Sequence, residues 1–106
     1  MSAFVSLSQA AFEEKVLRAA QPVLVDFSAP WCAPCKRLEP ELEKLAETLG
    51  KGMQYYQVNV DEASELAGSL MVLGVPTVIL FRDGQERARL SGYQTLPRLL
   101  DVFGKA

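Results

Sequence analysis

The sequence contains no histidine. That removes the side chain that most often acts as a general base near neutral pH, and also the commonest metal ligand. Acid–base work must then fall to a carboxylate, a thiol, a lysine or a tyrosine. Cysteine is scarce, with two residues, Cys32 and Cys35. A structural zinc site wants about four Cys or His ligands. Zinc here would have to recruit carboxylates or a second chain, so no metal and no cofactor is expected. No apolar run approaches the length of a membrane span. The opening residues, Met1-Ser2-Ala3-Phe4-Val5, show no basic stretch followed by an apolar core. No signal peptide is expected, and the reading is cytoplasmic, where thiols are kept reduced. A processed chain from another compartment would read the same way. Charge of neither sign dominates: the net charge is -2, with Lys and Arg interspersed among Asp and Glu. That leaves no basic stripe for nucleic acid and no polybasic patch for a membrane surface.

Repeats, low-complexity tracts and linkers are also missing. The 106 residues, 49% hydrophobic and 23% charged, suit one domain over residues 1–106 with a core of its own. Ala3 to Leu7 is strand-like, and Ser8 is positioned to cap a helix carrying Phe12, Val16 and Ala19 at helical spacing. Pro22 ends that helix. Val23-Leu24-Val25-Asp26-Phe27 is a nearly continuous apolar run, as expected of a central strand buried on both faces. A helix follows from about Ala33 to Leu49, with Leu38, Leu42, Leu45 and Leu49 on one face. Gly50 and Gly52 stop it, and Pro40 inside it predicts a kink. Met53 to Val60 reads as a third strand and Ser64 to Leu70 as a short helix. Thr77 to Phe81 is a fourth strand, and Asp83-Gly84 a hairpin turn into a half-exposed fifth. Leu96, Leu99, Leu100 and Phe103 mark a terminal amphipathic helix, with Pro97 in its first turn. The order predicts an α/β fold: a mixed five-stranded sheet flanked by four helices. Its early strands are parallel through crossovers and its last pair is antiparallel through the hairpin.

Trp31-Cys32-Ala33-Pro34-Cys35-Lys36 falls at the junction of the buried strand and the long helix. Cys32 sits near the N-cap, where free backbone N–H groups and the helix dipole favour a thiolate. The thiolate is the form that attacks a disulfide. Cys35 lies one turn further on, close enough to pair, less exposed, and the natural resolving thiol. Three other readings compete. A structural disulfide closing so short a loop would remove little unfolded-state entropy. Half a zinc site lacks ligands. Two inert core cysteines do not account for the placement beside Trp31 and Pro34 at a strand–helix junction, a context in which CxxC reads as redox-active.

Asp26 is a lone carboxylate in a buried strand. Desolvation should raise its pKa. Either it swings to solvent or finds backbone donors, or it sits beneath Cys35 and accepts that thiol's proton, directly or through a water. Gly74-Val75-Pro76-Thr77 precedes the fourth strand. Pro76 is either a strand-start proline or follows a cis peptide bond that would leave the Val75 backbone free to pair with an extended substrate.

Together these segments, with Gly92 after the last strand, resemble the thioredoxin family over essentially the whole chain. The resemblance implies a thioredoxin fold and a protein-disulfide reductase. Cys32 would attack a client disulfide, and Cys35, deprotonated with help from Asp26, would release the reduced client. The substrate-binding residues would be Trp31, Ala33, Pro34, Gly74, Val75, Pro76 and Gly92. The implied partners are a thioredoxin reductase, which would recycle the oxidised form, and disulfide-containing client proteins, with the chain a monomer. Three positions depart from the family pattern: Ala33 for a usual Gly, Ser28 for a common aromatic, and Gln57 for a common Lys. Ser28 with Pro30 predicts different packing before the motif. Gln57, placed on the strand beside Asp26, predicts that Asp26 holds its proton to higher pH than in relatives with Lys. Two other functions stay open: an oxidant or isomerase, against which Pro34 stands where oxidising relatives often carry His, and a redox-insensitive binding module such as a chaperone or polymerase accessory subunit.

Overall fold

Val23–Ser28 is apolar at every position but two, and the chain buries all six residues as strand β2. The computed structural model describes residues 3–105. Met1, Ser2 and Ala106, the ends of the expected domain, lie outside the described residues. The strands are β1 (Val5–Ser6), β2, β3 (Gln54–Asn59), β4 (Thr77–Arg82) and β5 (Gln85–Ser91). The α-helices are α1 (Ala33–Leu49), α2 (Ser64–Ser69) and α3 (Leu96–Phe103). The sheet order is β1-β3-β2-β4-β5. Among the described residues a fourth helical segment precedes β2, and a 3₁₀ turn, Gly50–Gly52, only extends the end of α1, so the expected count of four stands.

That N-terminal segment is not an α-helix. It is a 3₁₀ turn, Gln9–Ala11, followed by a π-helical turn, Glu13–Leu17. Ser8 caps it as expected, its side chain accepting from the Ala11 N–H at 3.3 Å. The Arg18 N–H donates to Glu13 O at 3.0 Å, a five-residue step. A segment this short gains little from helical cooperativity, so packing of Phe12 and Val16 into the core decides its register. β1 is also shorter than the Ala3–Leu7 run suggested. α1 continues through Pro40, which sits on its exposed side, and ends where Gly50 adopts φ 79°. At the hairpin Asp83 and Gly84 both have positive φ, 54° and 76°. A Cβ on Gly84 would meet the Leu17 carbonyl oxygen at 2.9 Å, so both the turn and the close approach call for glycine.

β1 and β2 run parallel to β3, and β5 is antiparallel to β4, as the connections predict. β4 is antiparallel to β2 as well, which the element order alone did not disclose. The reason is length. α2 rises about 1.5 Å per residue against about 3.3 Å for a strand, so a helix of 6 residues cannot span the sheet. The chain therefore enters β4 from the end at which β3 finished. The start of β4 is thereby brought to the same sheet end as the close of β2.

Strand alternation then sorts side chains to two cores. Leu24, Val78 and Leu80 pack under α1 and α3 with Leu38, Leu42, Leu45, Leu99 and Phe103. Val23, Val25, Phe27, Val58, Ile79 and Phe81 pack on the opposite side with Phe12 and Val16. Asp26, two residues after Leu24 on β2, belongs to the face that α1 covers.

Candidate active site

Cys32 is the N-cap of α1, with φ -94° and ψ 106°, and Pro34 stands in the first turn. An N-cap leaves its own side chain facing the free N–H groups of the first turn. Here the Cys35 N–H donates to Cys32 Sγ at 3.2 Å. Cys32 and Cys35 form a disulfide, their Cα atoms 5.3 Å apart. Both are buried, at 3% and 1% exposure, so the expected contrast between them is slight in this oxidised form. Ala29, Val60 and Val75 pack around the pair.

Across from the disulfide lies the segment entering β4. The Val75–Pro76 peptide bond is cis. The Val75 carbonyl oxygen is 3.7 Å from Cys32 Sγ. An oxidised sulfur carries no hydrogen, so this contact becomes a hydrogen bond only when Cys32 is a thiol. Thr77 Oγ1 donates to the Gly74 carbonyl at 2.7 Å, and the Gly92 N–H to the Pro76 carbonyl at 2.8 Å. Gly92, with φ 81°, ties the end of β5 to the same turn.

Trp31 is 70% exposed, and its indole N–H donates to Asp61 Oδ2 at 2.9 Å. It borders a groove of about 210 Å³ shared with Val60, Val72, Leu73, Gly74 and Val75. Of the anticipated substrate-binding residues, the groove gathers Trp31, Gly74 and Val75. Ala33 and Pro34, on the first turn of α1, and Pro76 and Gly92 lie outside its lining. The groove also takes in Val60, Val72 and Leu73, which the sequence did not single out. The signal for Leu73 was available: it is an apolar residue in the loop before Gly74, and it is 87% exposed.

Asp26 neither swings out nor meets backbone donors. It is 1% exposed, and Gln57 Nε2 donates to its Oδ2 at 3.2 Å, while Oδ1 has no hydrogen-bond partner among the described residues. Asp26 and Gln57 are register partners on β2 and β3, as expected. Burial pushes the Asp26 carboxyl up to about 7; the Gln57 hydrogen bond works against that rise, and the negative charge of Glu39 adds to it. Beside this pair a cleft of about 250 Å³ opens, lined by Ser28 and Gln57 from the sheet, Lys36 and Glu39 from α1, and Glu62 among others. Ser28 and Pro30, read as a departure that changes the packing before the motif, both line that cleft. Glu39 was not anticipated, because no pattern in the sequence links it to Asp26.

The arrangement can exchange a dithiol for a disulfide, and it places beside the sheet a carboxyl able to take or give a proton near neutral pH. Comparisons with known proteins agree with this chemistry. The family model described as Thioredoxin matches residues 3–104. A thioredoxin of Rhodospirillum rubrum is 43% identical over 86 residues, covering 81% of this chain and 83% of the relative. A thioredoxin of Mycobacterium tuberculosis is 39% identical over 99 residues, covering 93% and 85%. The chloroplastic thioredoxin M4 of Arabidopsis thaliana is 35% identical over 101 residues, which is 92% of this chain and 52% of that longer protein.

Proposed function

This chain belongs to the thioredoxin family and is a protein thiol–disulfide oxidoreductase that reduces protein disulfides, and we propose that Cys32 is its attacking thiol, Cys35 its resolving thiol and Asp26 the base that serves Cys35. The observation that supports the two thiol roles is the Cys32–Cys35 disulfide at the N-terminus of α1, with the Cys35 N–H aimed at Cys32 Sγ. Donors and the helix dipole at that position favour a thiolate on Cys32.

In the reduced protein the Cys32 thiolate attacks one sulfur of a client disulfide, and the other client sulfur leaves as a thiolate. A mixed disulfide now joins Cys32 to the client. Cys35 gives its proton to the Asp26 carboxylate and attacks Cys32 Sγ. The bond to the client breaks, and the electron pair leaves with the client thiolate. The client gains two electrons, and the Cys32–Cys35 pair loses two. Trp31, Ala33, Pro34, Gly74, Val75, Pro76 and Gly92 frame the client segment, which pairs in extended form with the Val75 backbone. A thioredoxin reductase returns the pair to the dithiol. The chain acts as a monomer in the cytoplasm, where a reducing poise keeps the dithiol form available.

The test is reduction of insulin disulfides with dithiothreitol as electron source, then with NADPH and a thioredoxin reductase in its place. The parent is expected to accelerate both reactions, and a variant with Ser at positions 32 and 35 neither. A double-Ser variant as fast as the parent would mean that the cysteines are not the working groups. No NADPH consumption would remove the reductase from the scheme.

A further inference from the structure

The cleft beside Asp26 has an occupant that the mechanism above does not use. Glu39 lies one turn after Cys35 on α1, at the i+4 spacing that puts two side chains on one helix face. Glu39 lines the cleft together with Gln57, the residue that holds Asp26 Oδ2. Beside Asp26, β3 contributes the neutral Gln57 amide and β4 the apolar register partner Val78. The charged groups on the cleft wall are Lys36 and Glu39 from α1, and Glu62. Gln57 donates to the carboxylate and stabilises its anion. Glu39 is a like charge and destabilises it. Lys36, also on the cleft wall, is exposed.

We propose that Glu39 is a positioning residue for the resolving step: its carboxylate makes Asp26 a stronger acceptor for the Cys35 proton and so opposes the Gln57 hydrogen bond, which makes it a weaker one. A base whose proton affinity lies closer to that of a thiol takes the thiol proton more readily. Once Cys35 has attacked Cys32 and the client thiolate has left, the same repulsion no longer acts on Asp26, which is then neutral. The proton it took from Cys35 then passes to solvent. The proposal rests on the assignment of Asp26 as the base for Cys35.

The experiment follows two quantities in the full chain. One is the pH midpoint of the Asp26 carboxyl carbon by NMR. The other is the single-turnover release of client thiol from the Cys32 mixed disulfide after a pH jump. Glu39→Gln is expected to move the Asp26 midpoint to lower pH and the release profile with it, and to lower the plateau rate roughly threefold. Glu39→Asp is expected to restore both, and Glu62→Gln to leave both in place. An unmoved Asp26 midpoint in Glu39→Gln overturns the proposal, as does a moved midpoint with an unmoved release profile. If Asp26→Asn releases client as fast as the parent, the base assignment itself fails and the proposal with it.

Discussion

The neutral Gln57 amide faces the buried carboxylate of Asp26, and that pairing is the most informative contact at the residue scale. Gln57 Nε2 reaches Asp26 Oδ2 at 3.2 Å from the register position directly opposite. A positive charge there would favour the anion far more than a neutral donor does. Gln57→Lys is therefore expected to lower the Asp26 midpoint from about 7 and to move the activity profile to lower pH. NMR titration of Asp26 in both variants checks it; an unchanged midpoint would mean that the two side chains do not communicate. The pairing was legible because the family resemblance marks position 57 as a neighbour of the buried carboxylate, and both residues read as lying on adjacent parallel strands near the cysteine end. The cysteines were legible because CxxC at a strand–helix junction has few other uses. Glu39 was not legible: its relation to Asp26 depends on how α1 lies over the sheet, which spacing along the chain does not encode. The same holds for Asp61, whose bond to the Trp31 indole joins residues 30 positions apart.

At the element scale, helices and strands with strong periodicity appear where their patterns placed them. The exceptions are those whose geometry is decided by neighbours. The N-terminal segment shows helical spacing in Phe12 and Val16, yet spacing does not distinguish a π-turn from an α-turn when both bury the same residues. The direction of β4 follows from the shortness of α2. The loop joining α2 to β4 is held by a feature that only the fold creates. Arg89 on β5 donates to the Leu70 and Met71 carbonyl oxygens at 2.7 and 3.2 Å. Glu86 fixes the guanidinium through two contacts of 2.6 Å. Met71 has φ 59° in this loop, a conformation that a residue with a Cβ adopts at a cost. The loop supplies Val72, Leu73 and Gly74 to the groove beside Trp31. Arg89→Ala is expected to loosen that wall and raise KM for a protein disulfide roughly threefold. The kcat, and the rate with a small aromatic disulfide, should stay at the parent value. Equal losses on both substrates would show that the loop is not held through Arg89.

Across the whole molecule, the buried carboxyl sets a pH dependence on stability. The Asp26 pKa is raised from 3.8 to about 7 by folding. Between those values the folded state binds more protons than the unfolded state, so stability falls as pH rises through the window. Below it the carboxyl is neutral in both states and costs nothing; above it the full penalty applies, on the order of 4 kcal/mol. Asp26→Asn keeps the shape without the charge. It is expected to be more stable than the parent by about 2–4 kcal/mol at about pH 8, with the gap closing toward about pH 4. Urea unfolding at several pH values checks this, and a gap independent of pH would contradict it. The two cores on either side of the sheet hold the ends of β2 and β4 together, and that is what sets Cys32 against Val75. The account stands most directly on which sulfur attacks the client. The deciding measurement is trapping of client proteins by single-cysteine variants. Cys35→Ser is expected to accumulate stable mixed disulfides through Cys32, while Cys32→Ser accumulates none; stable adducts through Cys35 in Cys32→Ser, with none in Cys35→Ser, would reverse the assignment and contradict the account.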